Sequence, residues 1–204
     1  MKTLQQKLRK YFIMGSQDCN QPETILTEAI EAGITAFQYR EKGANALTGK
    51  QQIELGKRLR DICYEHDILF IVNDDVNLVE PLQADGIHVG QSDTPVEKVR
   101  ERFPNKWIGL SVSNIEEVNR SPIDLVDYVG AGPIFETPTK PDKKPVGIEW
   151  IKTLRKQFPH LPIVGIGGMN TTNAASVIDA GADGVSFISA VTKAKNIQQA
   201  VAGL

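Results

Sequence analysis

This sequence of 204 residues is poor in cysteine, in aromatic side chains and in net charge. Its two cysteines, Cys19 and Cys63, have neither metal-ligand spacing nor the pattern of a disulfide framework, which suits a reducing cytoplasm. A net charge of −2 excludes the broad basic surface that nucleic acid requires. No run approaches the roughly 20 apolar residues of a membrane helix. These absences predict a cytoplasmic protein that binds neither nucleic acid nor a membrane.

The three histidines carry little functional signal, because their spacing matches no metal site. His66 and His160 are predicted at the surface, and His88 inside the sheet as an ordinary core side chain. Cys63 falls in a helical pattern and is predicted to be core. Cys19 follows a strand, so it could lie beside a site.

What the sequence does contain is a regular alternation of short apolar runs with longer amphipathic segments. Eight runs are predicted strands, at residues 10–15, 35–40, 68–73, 86–90, 107–112, 126–132, 162–168 and 184–189. Helices are predicted between them, at Glu23–Ala32, Thr48–His66, Pro95–Phe103, Ile148–Phe158 and Thr172–Ala180. Apolar strands alternating with helices indicate a parallel sheet that helices cover.

The number of units favours a closed sheet. Eight strand–helix units in this length predict an α/β protein with one domain over residues 1–204, a (β/α)₈ TIM barrel. A doubly wound open sheet is the alternative, because alternation alone does not distinguish the two. In a barrel, the chemistry lies on the loops that follow the strands.

Carboxylates follow two of the predicted strands. The run ILFIVN continues directly into Asp74 and Asp75, and the next strand leads to Asp93. Carboxylate oxygens suit magnesium, which takes oxygen ligands from the protein and from a phosphate-bearing substrate. Each carboxylate could instead cap a helix. We assign Asp75 to the cap alone and predict that Asp74 and Asp93 bind the ion.

Two groups of residues suit anions. Arg40, Lys42 and Lys140 offer positive charge for a diphosphate. Gly167 and Gly168 let backbone amides approach a phosphate, and residues 188–189 open the last helix, whose amides favour anions. A solvated loop would explain the charged group alone, and a tight turn would explain the glycines alone. Their common position at strand ends predicts a site for two anionic substrates.

Seven consecutive segments resemble motifs of the thiamine-phosphate synthase family, namely QYREKG, VNDDV, DGIHVGQSD, GLSVS, DYVGAGPIFETPTK, PIVGIGGMN and ADGVSFISAV. They run in order along nearly the whole chain. The resemblance implies a (β/α)₈ barrel and a transferase of thiamine biosynthesis. Its small-molecule substrates would be 4-amino-2-methyl-5-(diphosphooxymethyl)pyrimidine and hydroxyethylthiazole phosphate, and its products thiamine phosphate and diphosphate. The segment NRSPIDLVD is short for the family, which predicts a curtailed fifth helix.

The resemblance also implies roles for individual residues. The pyrimidine diphosphate would contact Gln38, Tyr39, Arg40, Glu41, Lys42, Asn73, Ser111 and Lys140. The thiazole phosphate would contact Thr137, Pro138, Thr139, Gly168, Ile188 and Ser189. One magnesium ion per subunit would lie on Asp74 and Asp93. Arg40, Lys42 and Lys140 would act in catalysis by neutralising the charge of the leaving diphosphate. The sequence leaves open whether the protein forms a homo-oligomer.

Two other functions fit the same barrel. A thiazole tautomerase carries, in its family, a catalytic histidine after the glycine of strand six, where Pro133 stands here. A catalytically silent phosphate-binding regulator would have lost carboxylates and cations that this chain keeps. The transferase is therefore favoured, and the loop TPTKPDKKP at residues 137–145 is predicted to be its lid.

Overall fold

The computed structural model describes residues 2–139 and 143–204 and contains a closed barrel of eight parallel strands. Strands β1–β8 are Lys10–Met14, Ala36–Tyr39, Leu69–Asn73, Gly86–Val89, Trp107–Val112, Tyr128–Ala131, Ile163–Gly165 and Gly184–Phe187. Each strand pairs with the next, and β8 pairs with β1 in the register Lys10 to Val185. This closing pair confirms the (β/α)₈ barrel and excludes the doubly wound sheet.

Helices surround the barrel. In the part of the chain that the structure describes, α1–α9 span Leu4–Lys7, Pro22–Glu31, Gly49–Glu65, Val96–Arg102, Ile115–Arg120, Ile148–Gln157, Ala174–Asp179, Ser189–Thr192 and Ile197–Ala202. The five predicted helices coincide with α2, α3, α4, α6 and α7. The curtailed fifth helix is confirmed, since α5 has 6 residues. One prediction is wrong: residues 188–189 open the 4-residue α8, and the last helix is the separate α9.

Side chains on each strand alternate between the outside and the inside of the barrel. On the outside, the rings of Phe12, Phe37 and Phe70 pack in series under the helices, with centroids 5.7 and 5.9 Å apart. On the inside, a second apolar cluster includes Tyr11 and Tyr128. Both faces are buried, which explains why the strands are nearly continuous apolar runs.

Two Arg–Asp pairs join helices to the amino ends of strands. Arg100 of α4 lies 2.7 Å from Asp127, and Arg155 of α6 lies 2.5 Å from Asp183. Each aspartate also accepts a backbone N–H from the start of the neighbouring strand, at 2.7 and 2.8 Å. These side chains are only about a quarter exposed, so solvent screens the pairs incompletely. They lie at the end of the barrel opposite the strand-end loops.

Asp183→Ala is expected to lower the free energy of unfolding by about 2 kcal/mol, because it removes the carboxylate partner of Arg155 Nη2 and leaves the Ile163 amide unpaired. Urea denaturation measures the change. Asp179→Ala is the matched control, since Asp179 lies exposed on α7 and should change stability by less than about 0.5 kcal/mol. Equal losses in the two variants would contradict the role given to the pair.

Candidate active site

The carboxyl ends of the strands open into one cavity of about 840 Å³. That volume suits small-molecule ligands. The cavity is lined by most of the residues predicted to bind substrates or metal: Gln38, Arg40, Lys42, Asn73, Asp74, Asp93, Ser111, Thr137, Pro138, Thr139, Gly168, Ile188 and Ser189. Residues that lie far apart in the sequence therefore meet at one rim.

The carboxylates of Asp74 and Asp93 lie side by side on this rim. Asp74 has a φ of 59°, a left-handed conformation that few residues other than glycine adopt, and its amide donates to His88 O at 2.9 Å. The Gly90 amide donates to Asp93 Oδ2 at 2.7 Å. Burial, and then the neighbouring Asp74 carboxylate, raise the pKa of Asp93. Lys42 Nζ lies 2.5 Å from Asp74 Oδ2 and offsets part of this negative charge.

This pair of carboxylates fits a magnesium ion. Two adjacent carboxylates concentrate negative charge that a cation relieves. Among residues 2–139 and 143–204 no group of three or more His, Cys, Asp or Glu side chains could hold a metal ion. Two protein carboxylates suffice for magnesium, because the ion keeps several waters and takes phosphate oxygens from the substrate.

Asp75 has the separate role predicted for it. Its side chain accepts a hydrogen bond from the Asn77 amide at 2.9 Å and caps the 3₁₀ helix Val76–Leu78. Asp75 is absent from the lining of the cavity. The two adjacent carboxylates of the sequence NDD therefore have different roles: Asp74 lines the cavity, and Asp75 caps a helix.

A glycine turn lies on the other side of the cavity. Gly167 and Gly168 have φ values of 94° and 68°, so both occupy the left-handed region that favours glycine. A Cβ atom on Gly168 would lie 2.5 Å from Glu136 O and 2.7 Å from Phe135 Cβ. The turn therefore packs directly under the loop that carries Thr137–Thr139. Because α8 has only 4 residues, its first amides rather than a long helix dipole would favour an anion.

Comparison with known proteins identifies the family. A family model described as thiamine monophosphate synthase matches residues 10–191. The chain belongs to the thiamine monophosphate synthase family. The thiamine-phosphate synthase of Oceanobacillus iheyensis is 63% identical to it over 203 residues, which cover 98% of each sequence. The resemblance drawn from the seven motifs is thus confirmed.

Solved structures agree with membership of the thiamine monophosphate synthase family. Thiamine phosphate pyrophosphorylase from Pyrococcus furiosus superposes with a TM-score of 0.89 at 36% identity, over 99% of this chain and 96% of that one. A 3-hexulose-6-phosphate synthase superposes with a TM-score of 0.63 at 14% identity, over 97% and 98% of the two chains. The second similarity shows the barrel alone.

Two side chains that the family resemblance assigned to the pyrimidine diphosphate face away from the cavity. Tyr39 points outward from β2, is 1% exposed, and donates to Gln52 O at 2.8 Å. The Glu41 carboxylate accepts from the amide and hydroxyl of Ser16 and from the Leu47 amide, at 2.6 to 2.8 Å. These side chains hold the strand and its loop in place, so the predicted contacts with the pyrimidine diphosphate stay predictions for the backbone of the two residues alone.

Three other sequence-based predictions concern residues near the site. Lys140 lies outside the described residues, so its role stays a prediction. Cys63 is buried in the core and His88 lies inside the barrel, as predicted. Cys19 packs with its Sγ 3.4 Å from Met14 Sδ and does not line the cavity.

Several cations at the rim were not predicted from the sequence. Arg120, Lys143 and Lys193 line the cavity. Lys143 lies in the predicted lid and donates to Ser113 Oγ at 3.2 Å, whereas Arg120 ends α5 and donates to Gln91 Oε1 at 3.3 Å. The lysine-rich lid was a visible signal for Lys143. Arg120 and Lys193 follow no strand directly, so their sequence positions held no such signal.

In the part of the chain that the structure describes, no helix is long and apolar enough to cross a membrane.

Proposed function

We propose that the cavity binds a pyrimidine diphosphate and a thiazole phosphate together and joins them into thiamine phosphate, with release of diphosphate. The transferase activity follows from membership of the thiamine monophosphate synthase family and from the 63% identical thiamine-phosphate synthase. The observation that carries the assignment of the site is that one cavity holds both a cation–carboxylate side and a glycine-turn side.

The cation–carboxylate side is assigned to the diphosphate. Arg40 and Lys42 line it together with Asp74 and Asp93. A guanidinium can grip phosphate oxygens through two donors, and an ammonium acts as a point charge. Lys140 lies outside the described residues and joins this group because of its charge, its place after strand six and the family resemblance. Gln38, Asn73 and Ser111 offer neutral polar groups to the same substrate.

The glycine-turn side is assigned to the thiazole phosphate. Gly168, the first residues of α8, and Thr137 and Thr139 line the cavity on this side. Backbone amides at a turn and at a helix start form a concave seat for an anion. This seat fixes the thiazole ring in line with the pyrimidine methylene, which is a proximity effect.

The reaction is a substitution at the exocyclic methylene carbon of the pyrimidine. The C–O bond to diphosphate breaks, the bonding electrons leave with the diphosphate, and the thiazole nitrogen forms the new C–N bond. The electron-rich aminopyrimidine shares the positive charge that develops as the C–O bond breaks. Arg40 and Lys42 neutralise charge on the leaving group, a contribution worth roughly 3 kcal/mol for one well-placed donor. The path needs no protein nucleophile.

Asp74 and Asp93 are the residues that would hold magnesium, one ion per subunit. When bound, the ion would add positive charge beside the leaving diphosphate. The Gly90 amide holds Asp93 in place, and Lys42 does so for Asp74. The chain therefore orients both carboxylates before any ion arrives.

The loop between β6 and α6 is the proposed lid. Its base is held by the Val146 amide on Pro133 O at 2.8 Å and by the Ile134 amide on Ile166 O at 2.8 Å. Thr137 and Thr139, in the part of the loop that the structure describes, line the cavity, and residues 140–142 of the predicted lid lie outside the described residues. A cover here would exclude water, which would otherwise capture the pyrimidine cation.

The test is an assay with both substrates and magnesium. We expect thiamine phosphate and diphosphate to appear in equal amounts, with neither formed when one substrate is omitted. Diphosphate without thiamine phosphate would indicate hydrolysis. Failure of well-folded protein to form either product would favour the silent phosphate-binding regulator.

A further inference from the structure

A continuous chain of side-chain hydrogen bonds crosses the barrel beneath the cavity. Gln38 Nε2 donates to the Tyr11 hydroxyl at 2.8 Å, and that hydroxyl lies 2.9 Å from the hydroxyl of Tyr128. The Tyr128 hydroxyl lies 3.1 Å from His88 Nδ1, and His88 Nε2 lies 2.9 Å from Ser111 Oγ. We call these five side chains the barrel relay. Its two ends, Gln38 on β2 and Ser111 on β5, line the cavity, and so does His88.

The middle of the barrel relay is sealed from solvent. Tyr11 is 2% exposed and Tyr128 0%. Burial raises the pKa of both phenols, so each stays a neutral hydroxyl with one hydrogen to donate. Polar groups buried this deeply are costly unless hydrogen-bonded, and a fully bonded network holds its members in one arrangement.

Glycines on the neighbouring strands make room for the two inner rings. A Cβ atom on Gly109 would lie 2.2 Å from Tyr128 Cζ and 2.4 Å from His88 Nδ1. A Cβ atom on Gly130 would lie 3.0 Å from His88 Cε1. At these inward positions any side chain would displace the rings. The backbone itself is therefore adapted to the barrel relay.

With the Gln38 amide as donor to Tyr11, one arrangement of hydrogens pairs every member of the barrel relay. In that arrangement Tyr11 accepts from Gln38 and donates its own hydrogen to Tyr128. Tyr128 then donates to His88 Nδ1, and the matching His88 tautomer donates from Nε2–H to Ser111 Oγ. Two groups at the ends stay available to the cavity. They are the carbonyl oxygen of Gln38, an acceptor, and the hydroxyl hydrogen of Ser111, a donor.

We infer that Tyr11, Tyr128 and His88 are positioning residues that set Gln38 as an acceptor and Ser111 as a donor for the pyrimidine substrate. The inference rests on the proposed function, which places that substrate against both ends of the relay. An aminopyrimidine carries an amino N–H donor and ring-nitrogen acceptors. It can therefore donate to the Gln38 carbonyl and accept from the Ser111 hydroxyl. Cutting the relay in the middle frees the Gln38 amide and the Ser111 hydroxyl to turn.

Tyr11→Phe and Tyr128→Phe test the inference, because each removes one hydroxyl and keeps the packed ring. We expect either change to raise the KM for the pyrimidine diphosphate roughly five- to tenfold and to leave the KM for the thiazole phosphate within about twofold. Tyr39→Phe is the matched control. It removes a buried tyrosine hydroxyl from β2, the strand that carries Gln38. That hydroxyl lies on the helix side of the strand, where it donates to Gln52 O and not into the cavity.

The double variant Tyr11→Phe/Tyr128→Phe separates a connected relay from two independent contacts. In a connected relay the double variant raises the pyrimidine KM no further than the larger single effect. Three results would overturn the inference. The double variant could raise the pyrimidine KM by the product of the two single effects, a single variant could change both KM values equally, or Tyr39→Phe could raise the pyrimidine KM as much as Tyr11→Phe does. Thermal melts of all variants identify losses of folding. A wild-type protein that forms no thiamine phosphate would instead refute the proposed function.

Discussion

Asp74→Asn and Asp93→Asn are each expected to lower turnover by about 10²–10³-fold, the size of loss seen when one electrostatic stabiliser is removed. Each change replaces a charged oxygen at the proposed magnesium site with a neutral one. Asparagine also tolerates the left-handed conformation that Asp74 adopts at φ 59°, so the substitution adds no backbone strain. The loss should therefore appear in catalysis rather than in folding.

Asp75→Asn is the control in the same sequence of three residues. Asparagine caps a helix about as well as aspartate, so the bond to the Asn77 amide should persist. A magnesium titration of initial rates is expected to shift to higher magnesium for Asp74→Asn and Asp93→Asn only, with part of the activity recovered at high magnesium. An equal shift for Asp75→Asn would contradict the division into ligands and cap.

Thermal melts with and without magnesium and diphosphate supply a readout independent of activity. A ligand that binds only the folded state raises the melting temperature. We expect this increase in the wild type and in Asp75→Asn, and its loss in the other two variants. Without magnesium, Asp74→Asn and Asp93→Asn should melt no lower than the wild type, because each removes repulsion between adjacent carboxylates.

Gly168→Ala is expected to raise the KM for the thiazole phosphate at least tenfold, about 1.4 kcal/mol, and to leave the KM for the pyrimidine diphosphate nearly unchanged. The added Cβ would meet Glu136 O at 2.5 Å, so the turn and the loop above it must move apart. The amide that faces the phosphate would move with them. Steady-state kinetics with each substrate varied in turn measures both values.

Gly33→Ala is the matched control for Gly168→Ala. Gly33 also has a positive φ, 100°, but nothing lies within 4 Å of an added Cβ, and the residue precedes β2 at the opposite end of the barrel. Both variants should lose some stability from the left-handed backbone, yet only Gly168→Ala should change the KM. Equal effects of Gly168→Ala on both substrates would show that the glycine turn is not a separate seat.

Several features of this protein could be predicted from sequence because they depend on local pattern. A strand buried on both faces must be apolar along its length, so ILFIVN and the other runs mark the strands without reference to their partners. The residues that follow each run must lie at the same rim of a parallel sheet. Asp74, Asp93 and Gly168 were found in this way, and the motifs around them identified the family.

The direction in which Tyr39 and Glu41 point depends on tertiary structure. Within Ala36–Tyr39, Gln38 faces the barrel interior, so Tyr39 must face the helices. Alternation along the strand could have predicted this, but a motif read as a continuous segment does not separate the two faces. Glu41 lies beyond the strand, and only the folded loops bring it to Ser16 and Leu47.

Closure of the barrel and the barrel relay were decided by tertiary structure alone. Tyr11 and Tyr128 are 117 positions apart, and although Tyr128 lies in the motif DYVGAGPIFETPTK, nothing in the sequence indicates that the two hydroxyls meet. They meet because β8 pairs with β1, which brings the inward side chains of opposite strands together across a narrow interior. The sequence determines which side chains face inward, and only the closed sheet determines which of them touch.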